Sequence, residues 1–126
     1  MIGYATIGTN DVEKAGAFYD ALLGEVGGKR LMPLPNGILY ASDMGQPMIG
    51  VCTPFDGKPA TVGNGTMIAL AADSRADVDR IHAKALELGG KDEGAVGPRG
   101  EGNFYGGYFR DLDGNKLCCF CMKAEG

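Results

Sequence analysis

The sequence has 126 residues, a formal net charge of −4 at pH 7, and 44% hydrophobic against 22% charged residues. That is one domain's length of ordinary globular composition. No apolar run approaches the roughly 20 residues of a membrane span. No basic cluster offers a phosphate-tracking surface. Membrane and nucleic acid are therefore not expected partners. The opening segment MIGYATIGTNDVEK also lacks the basic and apolar regions of a secretion leader.

Taken in chain order, GYATIG reads as a short strand and TNDVEKAGAFYDALLG as a helix. Asn10 with Glu13 fits an N-cap followed by an acid three residues on. Val12, Ala15, Tyr19 and Leu22 fall on one helix face, and Gly24 follows. Strands are expected over 26–32, 38–42 and 48–53. PFDGKPATVGNG is a Gly/Pro-rich joint. GTMIALAAD then restarts the pattern, with Ser74 and Asp77 as cap and Val78, Ile81, Ala85 and Leu88 as the buried stripe. Gly89-Gly90 stops that helix, and strands follow over 91–96, 104–110 and 116–122.

The two halves repeat one sentence: apolar strand, capped helix, Gly-Gly-Lys, more strands. Such self-similarity points to duplication of one supersecondary unit. The expected architecture is α+β, a single domain over 1–126. Module one spans about 1–55, a linker about 56–64, and module two about 65–126. Each is βαβββ, with helices on one face of a curved sheet.

Pleating assigns the faces. Ala5, Ile7, Ile49, Val51, Ile68, Leu70, Leu117 and Cys119 belong beneath the helices. Tyr4, Thr6, Gly8, Met48, Gly50, Cys52, Met67, Ala69, Ala71, Cys118 and Phe120 belong to the opposite face. Many of the second set are small, as a hollow requires. A sheet face covered by a partner chain is the alternative.

Four cysteines stand at 52, 118, 119 and 121. Cys119 and Cys121 would lie about 6.5–7 Å apart along one strand, at or beyond the reach of an unstrained bridge. Reduced thiols, and hence a cytoplasmic location, are the expectation. Cys118 is a nucleophile only if a cation such as Arg110 lowers its pKa; otherwise it is small apolar filling, as are Cys119 and Cys121. His82, the single histidine, reads as a partly exposed helix residue. Asp111-Leu-Asp-Gly-Asn115 is too short for an EF-hand loop and reads as a hairpin turn. GPRGEGNFYGG lacks the Gly-Lys-Ser/Thr of a P-loop and reads as a loop. Arg99, Tyr105, Tyr108 and Arg110 are the polar groups expected nearest a ligand.

The segments TNDVEKAGAFYDALLG and GYFRDLDGNKL, set in this repeat, resemble the vicinal oxygen chelate superfamily of glyoxalases, bleomycin-resistance proteins and extradiol dioxygenases. The resemblance covers essentially the whole chain. It implies two modules forming a U-shaped sheet around a cavity, and homodimers. It also implies metal-ligand positions, which fall here on Tyr4, near Gly50, on Met67 and on Cys118. None is a histidine or carboxylate, whereas a divalent ion that polarises carbonyls needs nitrogen or oxygen donors. No metal ligand, cofactor or catalytic residue is therefore assigned, although a divalent metal stays open. The expected function is binding of a small, partly apolar molecule in a cavity lined by Tyr4, Thr6, Gly50, Met67, Cys118, Phe120, Tyr108 and Arg110. Two alternatives stand beside it. One is a glyoxalase-type lyase or isomerase with an atypical metal site or acid–base chemistry through Tyr4. The other is a dimeric interaction module whose inner face is filled by large side chains.

Overall fold

The computed structural model describes residues 1–124. Strand β1 (Tyr4–Gly8) leads into helix α1 (Val12–Gly24), followed by β2 (Lys29–Leu34), β3 (Gly37–Ala41) and β4 (Met48–Cys52). The second module repeats the order as β5 (Ile68–Ala71), α2 (Arg75–Glu87), β6 (Lys91–Pro98), β7 (Tyr105–Arg110) and β8 (Lys116–Cys121). The strands form two four-stranded sheets, β1-β4-β3-β2 and β5-β8-β7-β6. In each, the first strand pairs parallel with the last and the other pairs are antiparallel. This is the expected α+β arrangement of two βαβββ modules, each contributing one sheet.

Strand β2 begins three residues later than the sequence suggests and includes Pro33. Proline is tolerated there because β2 is an edge strand, where a missing N–H breaks no central ladder. Helix α1 is capped by Asp11, whose side chain accepts from the Lys14 N–H, rather than by Asn10. Asn10 is instead engaged elsewhere: its side-chain oxygen accepts from the Ala60 N–H, and its own N–H donates to Asp113. Local pattern placed two cap-competent residues in a row, and long-range bonds claimed the first. Ser74 caps α2 as its position predicts, accepting from the Asp77 N–H.

Both Gly-Gly-Lys segments close a helix in the same way. Gly90 N–H reaches the Ala85 carbonyl and Gly89 N–H the Leu86 carbonyl, with Gly89 at φ +101°. Gly28 and Gly27 reach the Leu23 and Gly24 carbonyls likewise. This is the 6→1, 5→2 pairing that needs a left-handed residue, which glycine supplies.

The core lies between the helices and the sheets. Phe18, Tyr19, Leu22, Val78, Ile81 and Ala85 from the helices pack on Ile7, Val51, Leu70, Phe109, Leu117, Cys119 and Cys121. Three of the four cysteines are thus buried, and all four are free. His82 is not the partly exposed residue its neighbours suggest. It is buried, edge-on to Phe109, with Nε2 3.2 Å from both Asp92 Oδ1 and the Tyr108 carbonyl. Its ring passes under Gly107, whose missing side chain leaves the room.

The turn between β7 and β8 joins the modules. Asp111 is buried and accepts from the Asp113 and Asn115 N–H groups, from Asn115 Nδ2 and from the Tyr19 hydroxyl on α1. Asn115 Nδ2 also donates to the Gly8 carbonyl at the end of β1. The hairpin turn foreseen at 111–115 is therefore also a clasp. Tyr19 titrates far above its ordinary range, because burial and the adjacent Asp111 carboxylate both oppose a phenolate.

Candidate functional site

Alternation along the strands sends one set of side chains away from the helices. In module one these are Tyr4 and Thr6 on β1, which stand opposite Met48 and Gly50 on β4. Gly50 in turn pairs with Leu39 of β3. Tyr4 is 63% exposed and Thr6 is exposed. Gly50 is covered: a Cβ there would lie 3.1 Å from the Thr6 methyl and 3.6 and 3.7 Å from Leu34 and Leu39 methyls. The Thr6 methyl is the contact that a side chain at this position would have to shift first.

In module two the register builds two rows. Ala69, Cys118 and Tyr108 stand abreast on β5, β8 and β7; Ala71, Phe120 and Gly106 form the next row. Ala69 and Ala71 are exposed, so the β5 side is low and open. The Phe104 ring stacks on Phe120 with centroids 5.6 Å apart and planes 6° from parallel. It fills the space above Gly106. Arg99 lies over the Tyr108 ring at 5.5 Å and Lys116 Nζ at 5.4 Å from its centroid.

These contacts make an aromatic surface flanked by cations. Arg99 is fixed by hydrogen bonds to the carbonyls of Gly97, Pro98 and Ala95. Arg110, on the same face, is spent differently: it pairs with Glu93 at 2.9 Å and donates to the Gly114 carbonyl. It is therefore not the cation beside Cys118. Arg99 and Lys116 are, and together with the neighbouring Tyr108 they favour the thiolate. Burial outweighs them, and the Cys118 thiol titrates above its ordinary range.

Tyr105 departs from expectation. Odd-numbered residues of β7 face the helices, so its hydroxyl donates to Asp79 on α2 at 2.6 Å, with Arg75 over its ring. The two-residue period of the strand was the signal that excludes it from the ligand face. The same period would have added Lys116, which shares a face with Cys118. Phe104, an even-numbered position of the strand expected over 104–110, follows from the same period, although β7 itself begins at Tyr105.

Of the eight expected cavity residues, Cys118, Tyr108 and Phe120 come together with Arg110 at the margin, and Tyr4, Thr6 and Gly50 form a second group on the other sheet. Met67 lies apart, 42% exposed, just before β5. It is the one member of the eight that lines a cleft of about 530 Å³ running between β5 and the helix side of module one. Ile2, Leu23, Val26 and Ile49 are among the walls of that cleft, and no charged side chain lines it. Its Tyr40 hydroxyl is already engaged with Asp20 and the Gly16 carbonyl.

Among the described residues, no three His, Cys, Asp or Glu side chains gather in a way that could hold a metal ion. Tyr4, Met67, Cys118 and Gly50, where the resemblance places metal ligands, carry a phenol, a thioether, a thiol and no side chain at all. That donor set does not fit a Lewis-acidic divalent ion. No helix among the described residues is long and apolar enough to cross a membrane.

Comparison with known proteins agrees with this architecture. The family model for the Glyoxalase/Bleomycin resistance protein/Dioxygenase superfamily matches residues 1–119. A glyoxalase/bleomycin resistance protein from Albidiferax ferrireducens T118 is 36% identical, with a TM-score of 0.89 over 98% of this chain and 99% of that one. Two more distant structures share the fold. Lactoylglutathione lyase from Agrobacterium tumefaciens is 21% identical, with a TM-score of 0.70 over 96% and 92% of the two chains. TnmS3, an antibiotic binding protein from Streptomyces sp. CB03234, is 22% identical, with a TM-score of 0.68 over 98% and 96%. No curated protein matches. With its repeated modules, their strand order and the family match over nearly its whole length, the chain belongs to the Glyoxalase/Bleomycin resistance protein/Dioxygenase superfamily.

Proposed function

We propose that the protein binds a small, partly apolar molecule on the helix-free face of its sheets, without the metal chemistry used elsewhere in its superfamily. The observation that carries this is the mismatch at the four ligand positions. Tyr4, Gly50, Met67 and Cys118 cannot supply the nitrogen and oxygen donors of a carbonyl-polarising ion. The face retains instead what a binding site uses: aromatic rings, a few placed polar groups and open space over Ala69 and Ala71. That an antibiotic binding protein shares the fold is compatible with this reading. Acid–base catalysis through Tyr4 is less well supported, because no described hydrogen-bond partner engages its exposed hydroxyl and no carboxylate stands beside it in the strand register.

The reading extends to a cytoplasmic homodimer: four free thiols suit a reducing compartment. The test is elemental mass spectrometry on untagged protein challenged with nickel, zinc, cobalt and ferrous iron, followed by a thermal-shift screen of a small-molecule library. Substoichiometric metal with at least one saturable stabilising ligand is the expected outcome. A stoichiometric metal lost on Cys118→Ser, together with turnover of a hemithioacetal, would replace this reading with the lyase one.

A further inference from the structure

The geometry points to an aromatic anion as the class of ligand, held in module two with its ring against Phe104, Phe120 and Tyr108 and its charge toward Lys116 and Arg99. The inference rests on the small-molecule reading above and narrows it to a chemistry and a place.

Three features of the face argue for it. The first is charge without compensation. The chain carries 16 acidic against 12 basic residues, yet Lys116 and Arg99 make no ion pair among the described residues. The other arginines of the chain do, Arg75 excepted, and Arg75 lies on the helix side over Tyr105. Arg110, two residues from Tyr108 on the same face, is neutralised by Glu93. Both cations that face the aromatic surface thus keep their charge, as do Arg75 and the lysines other than Lys84 among the described residues, whereas the third cation of this face, Arg110, does not.

The second is preorganisation. Backbone carbonyls of Ala95, Gly97 and Pro98 hold the Arg99 guanidinium without cancelling its charge. They occupy Nη1 and Nη2, and no described bond uses Nε. An arginine already fixed loses little rotamer freedom when a ligand arrives.

The third is shape. The stacked pair of Phe104 and Phe120 and the Tyr108 ring form one wall, half-exposed. The adjacent β5 strand offers only Ala69 and Ala71, both exposed. Rows along a strand are about 6.6 Å apart, so one or two fused rings span from the Phe120 row to the Cys118 row. The charged end then lies beside Tyr108, where both cations sit within 5.5 Å of the ring centroid. The apolar cleft between the modules, which Ala69 and Ala71 also border, has no charged group in its lining and would not discriminate in this way.

A matched pair of fluorescent probes tests the inference on the full chain. 1-Anilinonaphthalene-8-sulfonate carries a sulfonate on the ring system that N-phenyl-1-naphthylamine presents uncharged. The sulfonate is expected to bind about tenfold more tightly than the neutral amine, one charge-assisted contact being worth roughly that factor. Lys116→Gln should weaken the sulfonate about fivefold and leave the amine unchanged, while Phe120→Ala weakens both. Lys116 is half-exposed and makes no described hydrogen bond, so this variant is expected to fold; Arg99→Gln is the second variant, with thermal melting checked first. Equal affinity for the two probes, or indifference of the sulfonate to both cation variants, overturns the inference. If the amine alone depends on Phe120, the small-molecule reading survives and the anion preference falls. If neither probe responds to Phe120→Ala, the place assigned here is wrong, and the small-molecule reading is then judged by its own library screen.

Discussion

Cysteine, placed three times in the last strand, shows how one residue type takes its character from burial. Cys119 touches the Val78 and Gly107 carbonyls beneath α2 and is fully buried. Burial first, and then the neighbouring Cys118, push its pKa from 9.0 up to about 12. Cys118 and Cys52 are raised as well, by burial. Such thiols are weak nucleophiles at neutral pH. In the native protein a disulfide probe at pH 8 should therefore react at least about tenfold more slowly than with the unfolded chain; fast native labelling confined to Cys118 would sink the view of it as filling. The same shift has a consequence for stability. A thiol whose pKa is raised by folding contributes fully below its unfolded value, and that contribution is lost as pH climbs from 9 toward 12. The buried Tyr19 hydroxyl acts in the same direction at still higher pH. The unfolding free energy from urea titrations should be flat below about pH 8.5 and fall above it, at up to about 1.4 kcal/mol per pH unit for one group. Cys119→Ala should reduce that slope.

At the level of elements, sequence pattern was most reliable where local chemistry decides. Both helices, the Ser74 cap and the paired Gly-Gly stops follow from backbone geometry within a few residues. Replacing Gly89 by alanine forces a side chain into a φ of +101° and should cost about 1 kcal/mol. Ser74→Ala should cost a similar amount, about 1 kcal/mol, by stranding the Asp77 N–H. Chemical denaturation measures both; a neutral Gly89→Ala would contradict the left-handed closure. Pattern was less reliable where distant parts compete. Asn10 lost the cap to Asp11 because residues 60 and 113 engage it. His82 was drawn inward by the space above Gly107. Tyr105 faces α2 rather than a ligand, as the two-residue period of β7 requires. Lys116 was legible by that period too, and so was Phe104, whose ring stacks on Phe120.

Across the whole molecule, the clasp at Asp111 makes two similar modules into one body. It ties α1, the end of β1 and the β7–β8 turn through four hydrogen bonds accepted by one buried carboxylate, with Asn115 continuing to the Gly8 carbonyl. Asp111→Ala should cost roughly 3 kcal/mol or more, since buried donors lose their acceptor, and Tyr19→Phe about 1–2 kcal/mol. Calorimetry should show one unfolding transition for the native chain, moved downward in both variants. A transition already split in two for the native protein would mean that the modules are thermodynamically independent.

The sequence by itself determined the duplicated βαβββ plan, the helix boundaries to within a residue or two, and the face each strand residue takes, because caps, glycines and alternation are local rules of backbone geometry. It also determined that Tyr4, Gly50, Met67 and Cys118, where the resemblance places metal ligands, are neither histidine nor carboxylate, which is a matter of identity alone. The tertiary structure decided what each face became. It paired Arg110 with Glu93 while leaving Lys116 and Arg99 free to flank Tyr108, and it buried Cys118 beside them. It also turned a hairpin loop into the bond between modules. Those outcomes depend on which distant groups meet and on how far water is excluded when they do, and neither is written in any short stretch of chain.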